Sequence, residues 1–251
     1  MMINMMVDTH CHVYELDCAE EIIMRALDND ILMILNGTDP ASNIEVLKLA
    51  DKYSNVYAAL GYFYLFASDV CEEDIDLLDR QLKNDNVVAV GEIGLDYYQN
   101  KDNKKSQKDL FETMLGLALK HNLPAIIHCR KAMQDTFDIL KEYDVRGSMH
   151  SYMGSAEMAK QFINQGFYIG VSGTITHTNN KKTKKLVKSI DISNILVETD
   201  SPYMTPSQKI GKVNTSLNLK YIIDGISQEL GINSSVVRDI TTNNAKDLFS
   251  I

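Results

Sequence analysis

The 251-residue sequence lacks the excess of basic residues that a broad nucleic-acid-binding surface needs, the cysteine spacing of a zinc finger, and the long apolar runs of a membrane protein. Lysine and arginine number 25 against 34 acidic residues, and the formal net charge of -9 argues against a broad basic surface for nucleic acid. Any phosphate-bearing substrate must therefore be held locally, by a few cations or by metal ions. Four cysteines, whose spacings match no zinc-finger or CxxC pattern, indicate reduced thiols of a cytoplasmic protein.

Segments that would place the chain in or across a membrane are also missing. No apolar run reaches the about 20 residues that a bilayer span requires. The opening MMINMM has no basic flank and no long apolar stretch, so we expect no signal peptide. We find no linker, repeat or low-complexity segment, and we predict a single domain over residues 1–251.

Strand-like apolar runs alternate with amphipathic helical stretches along the chain. The runs cover 7–13, 31–37, 56–61, 87–94, 124–129, 146–151, 167–173 and 195–200. Helices are expected near 20–29, 40–53, 72–84, 104–121, 131–143, 155–165, 180–189, 215–230 and 234–249. Nearly continuous apolar strands separated by helices indicate a parallel sheet buried on both faces. Eight such units in about 250 residues predict an α/β fold of the (β/α)8 TIM-barrel type. The alternative, an open doubly wound sheet, more often carries a glycine-rich phosphate loop after its first strand, and no GxGxxG occurs here.

Histidines and carboxylic acids fall at or near the carboxyl ends of the predicted strands. They are His10, His12, Glu92, His128, His150 and Asp200. A lone histidine at a strand end is more often a hydrogen-bonded side chain than a ligand. Six such residues at five strand ends favour a common site, because the ends of barrel strands converge on the face that carries active sites.

These residue types are those of a metal centre. His10 and His12 stand at i and i+2 in a strand, so both imidazoles point to the same side. Imidazole suits zinc, iron, nickel or copper, and carboxylate suits magnesium or manganese, so the identity of the metal stays open. Four imidazoles and two carboxylates are too many for one tetrahedral ion. We predict two divalent ions bridged by Glu92, about 3.5–4 Å apart, which activate a water molecule.

With these residues placed, the sequence resembles the TatD family of metal-dependent deoxyribonucleases, within the amidohydrolase-type barrels. The resemblance covers essentially the whole chain and is carried by DTHCH (8–12), GEIGLDY (91–97), IHCRKA (127–132), ETDSPYMTP (198–206) and NAKDLF (244–249). It implies that His10, His12, Glu92 and Asp200 hold one ion, and that Glu92, His128 and His150 hold the other. By the same resemblance Glu92 and Asp200 are catalytic, with Asp200 orienting or deprotonating the attacking water.

Other residues near these ligands are expected to bind substrate or to orient the ligands. Arg130 matches the arginine that follows the fifth-strand histidine, and its planar guanidinium suits a phosphate, although a surface charge at a helix start is an equal alternative. Tyr203 either contacts substrate or packs at the rim. Asp96 is expected to orient its neighbours, and Asp8 to pair with an imidazole. Phe63 stands where the family often has a histidine, which bears on substrate preference and rate and leaves the ligands intact.

Three functions remain open at this point. The leading hypothesis is a phosphodiesterase that cleaves DNA, as an exonuclease acting on single-stranded or frayed 3′ ends. The second is an amide, lactone or ester hydrolase with the same ions, although no lysine stands at a strand end as a candidate for carbamylation. The third is a non-catalytic scaffold, which would not need six ligands. No membrane and no obligate protein partner is inferred.

Overall fold

Eight parallel strands form the centre of the molecule, which a computed structural model describes over residues 5–251. Residues 1–4, on which part of the expectation about a signal peptide depends, lie outside the described residues. The strands are β1 Met6–Cys11, β2 Ile31–Asn36, β3 Val56–Leu60, β4 Val87–Asp96, β5 Ala125–Arg130, β6 Gly147–Met149, β7 Phe167–Val171 and β8 Ile195–Val197. Each strand pairs with the next one along the chain, so the spatial order is the sequence order.

A helix follows each strand, as the alternating pattern predicts. The helices are α1 Ala19–Leu27, α2 Pro40–Lys52, α3 Glu72–Gln81, α4 Lys104–His121, α5 Met133–Leu140, α6 Ala156–Asn164, α7 Lys181–Ser189, α8 Leu219–Leu230 and α9 Ser234–Phe249. Helix α2 begins at Asp39, whose carboxylate accepts hydrogen bonds from the backbone of Ala41 and Ser42 and satisfies amides that the helix leaves unpaired. Helix α6 begins in the same way at Ser155. None of the helices in the described chain is long and apolar enough to cross a membrane.

The barrel closes between β1 and the segment that follows β8. The hydroxyl of Thr9 donates to the carbonyl of Val197 over 3.1 Å. The amide of Asp200 donates to the carbonyl of His10 at 2.9 Å, and the amide of His12 donates to the carbonyl of Ser201 at 2.6 Å. This closure confirms the TIM barrel and brings the first and last predicted ligands together.

All eight strands end within one to three residues of the predicted positions, and two of the differences bear on the site. β8 ends at Val197, three residues before the predicted end, and β1 ends at Cys11. Asp200 therefore lies in a loop, with a φ of +52°. The chain leaves the β-ladder before Asp200 because the amide of Asp200 turns to donate to the carbonyl of His10 in β1.

The apolar core lies between the strands and the ring of helices, and its largest fully buried side chains include Phe111, Phe162 and Phe167. Helix α9 contributes Leu248 and Phe249 to a smaller cluster, together with residues of several strands. All four cysteines are free thiols, as predicted. Buried polar side chains at or just beyond the carboxyl ends of the strands include His10, Asn36 and His150.

Candidate metal centre

Glu92 lies at the middle of the predicted cluster, inside β4, and is 3 % exposed. One carboxylate oxygen, Oε2, is 3.3 Å from Nε2 of both His10 and His12. The other oxygen, Oε1, is 2.9 Å from Nδ1 of His128 and 3.1 Å from Nε2 of His150. The two oxygens of Glu92 therefore face two different pairs of imidazoles.

A glycine allows β4 and β5 to approach closely beside this carboxylate. Gly94 has a φ of +134°, and a Cβ atom there would lie 2.1 Å from the carbonyl oxygen of His128. Only glycine fits this backbone without strain. The close approach sets the carbonyl of His128 against β4, next to Glu92.

Asp200 completes the set on the side of His10 and His12. Its Oδ1 is 3.6 Å from Nε2 of His10 and 3.7 Å from Nε2 of His12. The ligand atoms of His10, His12 and Asp200 all lie within 4.8 Å of one another, and so do those of His10, Glu92 and His150. All six predicted ligands thus meet at one place.

Hydrogen bonds on the outer side of two imidazoles decide which nitrogen faces the cluster. Nδ1 of His12 is 2.8 Å from the carbonyl of Asn36, to which it donates. Nε2 of His128 is 3.1 Å from a carboxylate oxygen of Asp96, as expected of an orienting residue. The opposite nitrogens, Nε2 of His12 and Nδ1 of His128, then carry lone pairs directed inward.

The inward nitrogens approach one another closely. Nε2 of His10 is 3.0 Å from Nε2 of His12, and Nδ1 of His128 is 3.2 Å from Nε2 of His150. Two ring nitrogens this close need either a shared proton or a cation between them. The donor set of imidazole nitrogens and carboxylate oxygens therefore fits divalent metal ions.

The electrostatics of the cluster follow from burial and mutual charge. Burial by itself raises the pKa of Glu92, but His150 and His10 hold that pKa well below its usual value. Burial lowers the pKa of His10, and the neighbouring His150 lowers it further. Burial raises the pKa of Asp200 to about 7. Buried, mutually perturbed groups of this kind are typical of functional sites.

Two residues that sequence reasoning missed support the imidazoles. Glu198 is fully buried, accepts a hydrogen bond from the amide of Ser151, and has Oε1 3.5 Å from Nδ1 of His150. Its position two residues before Asp200 in ETDSPY was the available signal. Asn36 acts through its backbone carbonyl, so no side-chain pattern could have revealed it.

Asp8 was expected to pair with an imidazole, and in the structure it pairs with Thr199 instead. Its carboxylate accepts hydrogen bonds from the amide of Thr199 at 2.8 Å and from the hydroxyl of Thr199 at 2.5 Å. Burial raises the pKa of Asp8 to about 6. Asp8 therefore ties β1 to the segment after β8, because that neighbour offers two donors in reach of its carboxylate.

The residues expected to contact substrate lie around the cluster. The guanidinium of Arg130 stacks on the ring of Tyr98 with its carbon 4.0 Å from the ring centroid. Tyr203 is 54 % exposed, its ring centroid is 6.2 Å from that of His12, and its hydroxyl donates to Glu15 at 2.8 Å. The ring of Phe63 lies 5.0 Å from that of His128.

Fold and cluster together define a barrel hydrolase that depends on metal ions. The sequence model of the TatD related DNase family matches residues 7–250, and the chain belongs to this family. An uncharacterized metal-dependent hydrolase of Bacillus subtilis, YabD, is 37 % identical over 255 residues, which cover 98 % of this chain and 100 % of the relative. The chain is a metal-dependent hydrolase of the TatD family.

Solved structures agree with this assignment. The crystal structure of the TatD homologue YjjV of Escherichia coli has a TM-score of 0.93 and 28 % identity, with 100 % of both chains covered. A TatD-family hydrolase of Entamoeba histolytica has a TM-score of 0.87 at 22 % identity, covering 99 % of each chain, and supports the fold. The TatD resemblance and the barrel predicted from the sequence are thereby confirmed.

Proposed function

We propose that this hydrolase cleaves phosphodiester bonds of DNA, removing nucleotides from single-stranded or frayed 3′ ends with the help of two divalent ions. The proposal rests on the position of the Glu92 carboxylate, whose two oxygens face two separate pairs of imidazoles. One carboxylate can thus belong to two ligand sets. The description of the family as DNases supports the choice of substrate.

The chain's own residues would divide the work as follows. His10, His12, Glu92 and Asp200 would hold one ion, and Glu92, His128 and His150 the other. The ions, when bound, would lower the pKa of water and offset the charge of the phosphate. Asp200 directs Oδ1 toward His10 and His12, and Oδ2 would accept the proton of the attacking water.

Substrate contacts would come from the rim. No carboxylate of the described residues pairs with Arg130, whose guanidinium rests on Tyr98. Its N–H groups would donate to phosphate oxygens. The exposed ring of Tyr203 would contact a base or sugar of the strand end.

The test is a metal-supplemented assay of the purified protein against end-labelled single-stranded DNA, RNA, a small phosphodiester and a p-nitrophenyl ester. Mg, Mn, Co and Zn are supplied in turn. We expect stepwise shortening of the DNA. Cleavage of the ester without cleavage of DNA would favour an amide, lactone or ester hydrolase instead.

Glu92→Gln tests the shared carboxylate. We expect a loss of activity of about 100-fold or more, because the amide offers only one oxygen as ligand. Bound metal, measured by elemental analysis, should fall as well. Glu142→Gln changes the same charge at an exposed position and serves as the matched control. Full activity in Glu92→Gln would refute the two-ion arrangement.

A further inference from the structure

The charge of this acidic chain is distributed unevenly. Between residues 158 and 190 there are six lysines and no aspartate or glutamate, although the whole chain has 34 acidic residues. Five of these lysines belong to the nine residues of α7, in the sequence KKTKKLVKS. The molecule as a whole is acidic, but this helix presents a local basic surface.

The lysines of α7 fall into two groups. Lys184 and Lys188 pair with Glu229 of α8, at 3.0 Å and 2.8 Å. Lys181, Lys182 and Lys185 are exposed, and no carboxylate of residues 5–251 lies within 4.0 Å of their ammonium groups. We call these three residues the lysine strip.

The lysine strip lies at the same end of the barrel as the metal centre. The ammonium group of Lys182 donates to the carbonyl of Met153, which lies three residues after His150 in the loop that follows β6. In this barrel the helices run back along the strands, so the beginning of α7 lies on the face where the ligands meet. The strip continues that face outward, toward Glu157 of α6. The pKa of Glu157 is lowered by hydrogen bonds at the start of α6 and also by Lys185 and Lys160.

We propose that the lysine strip binds the backbone phosphates of a single-stranded nucleic acid whose end occupies the metal centre. The inference rests on the proposed function and adds the path of the strand. Lys181 and Lys185 are four residues apart, about 6 Å along the helix, which matches a separation of one to two nucleotides. An exposed basic surface beside a phosphodiesterase site fits a polyanion that extends out of that site. Such a surface favours polymeric substrates over small phosphodiesters.

The experiment measures binding without turnover, in the Glu92→Gln background. A fluorescent 12-nucleotide oligothymidylate is titrated at several salt concentrations, and fluorescence anisotropy gives the affinity. The test variant combines Lys181→Gln, Lys182→Gln and Lys185→Gln, changes that preserve helix propensity. Loss of three phosphate contacts should weaken binding on the order of tenfold and reduce the salt slope by about 2.

The matched control removes three charges elsewhere, as Lys48→Gln, Lys83→Gln and Lys141→Gln, all at exposed positions outside α7. It should change the affinity less than about twofold, because distant exposed charges are screened. Equal losses in both triple variants, or no loss in the test variant, would overturn the proposal. So would a test variant that loses binding to vesicles containing phosphatidylserine but keeps its affinity for the oligonucleotide. Failure of the proposed function is a different result, namely a wild-type protein that hydrolyses no phosphodiester.

Discussion

The hydrogen bond between Asp96 and His128 allows a sharp test of the metal centre through Asp96→Asn. Oδ1 of Asp96 accepts hydrogen bonds from the amides of Tyr98 and Gln99, both at 2.8 Å. Oδ2 faces Nε2 of His128 at 3.1 Å. In the variant, the single amide oxygen must stay with the two backbone N–H groups, so the NH2 group turns toward His128.

The expected consequence is a reversal of the imidazole tautomer. An NH2 group facing Nε2 of His128 requires a lone pair there, which moves the ring proton to Nδ1. Nδ1 is the atom that lies 2.9 Å from Glu92 and points into the cluster. A protonated nitrogen cannot bind a metal ion. Changes to residues that orient metal ligands cost about 10–100-fold in metal affinity or activity, which is about 1.4–2.8 kcal/mol.

The assay combines calorimetric titration of metal-free protein with Zn or Mn, elemental analysis and turnover. Asp79→Asn is the matched control, because Asp79 accepts a hydrogen bond from Nε2 of His121 at 2.8 Å, away from the cluster. We expect the control to keep its metal and its rate. Wild-type metal affinity and wild-type turnover in Asp96→Asn would refute the tautomer argument.

Two further predictions concern other parts of the structure. Gly170→Ala places a Cβ atom 2.4 Å from Oε2 of the buried Glu198. We therefore expect the free energy of unfolding in urea to fall by about 1–3 kcal/mol and metal binding to weaken. Unchanged stability and metal binding would contradict the placement of Glu198. Hydrogen bonds from Lys120 and His121 lower the pKa of Asp79 from 3.8 to about 2. The stabilisation that the ionised Asp79 contributes to the folded state is therefore complete above pH 3.8 and is lost as the pH falls toward 2. The stability gap between wild type and Asp79→Asn should be on the order of 1 kcal/mol at pH 7 and narrow as the pH falls from 3.8 to about 2, and a gap that widens there would reverse the assigned sign.

Much of the fold, and the convergence of the six candidate ligands on one site, could be predicted from the sequence, for a physical reason. Parallel strands buried on both faces require continuous apolar runs, so a histidine or carboxylate at their ends stands out. The spacing of His10 and His12 fixes their common side, and the motif around Glu92 indicates its place in β4. None of these inferences needs the tertiary structure, because each depends on the local periodicity of the sequence and on the order of the repeated βα units along the chain.

The tertiary structure decided what depends on neighbours distant in sequence. It assigned Asp8 to Thr199, because β1 meets the segment after β8 only when the barrel closes. It also showed which nitrogen of His128 faces inward, since that depends on a carboxylate 32 residues away. The sequence by itself determined which residues could bind metal. Only the packing of the barrel determined which hydrogen bonds orient them, because those bonds join side chains and carbonyls of different strands.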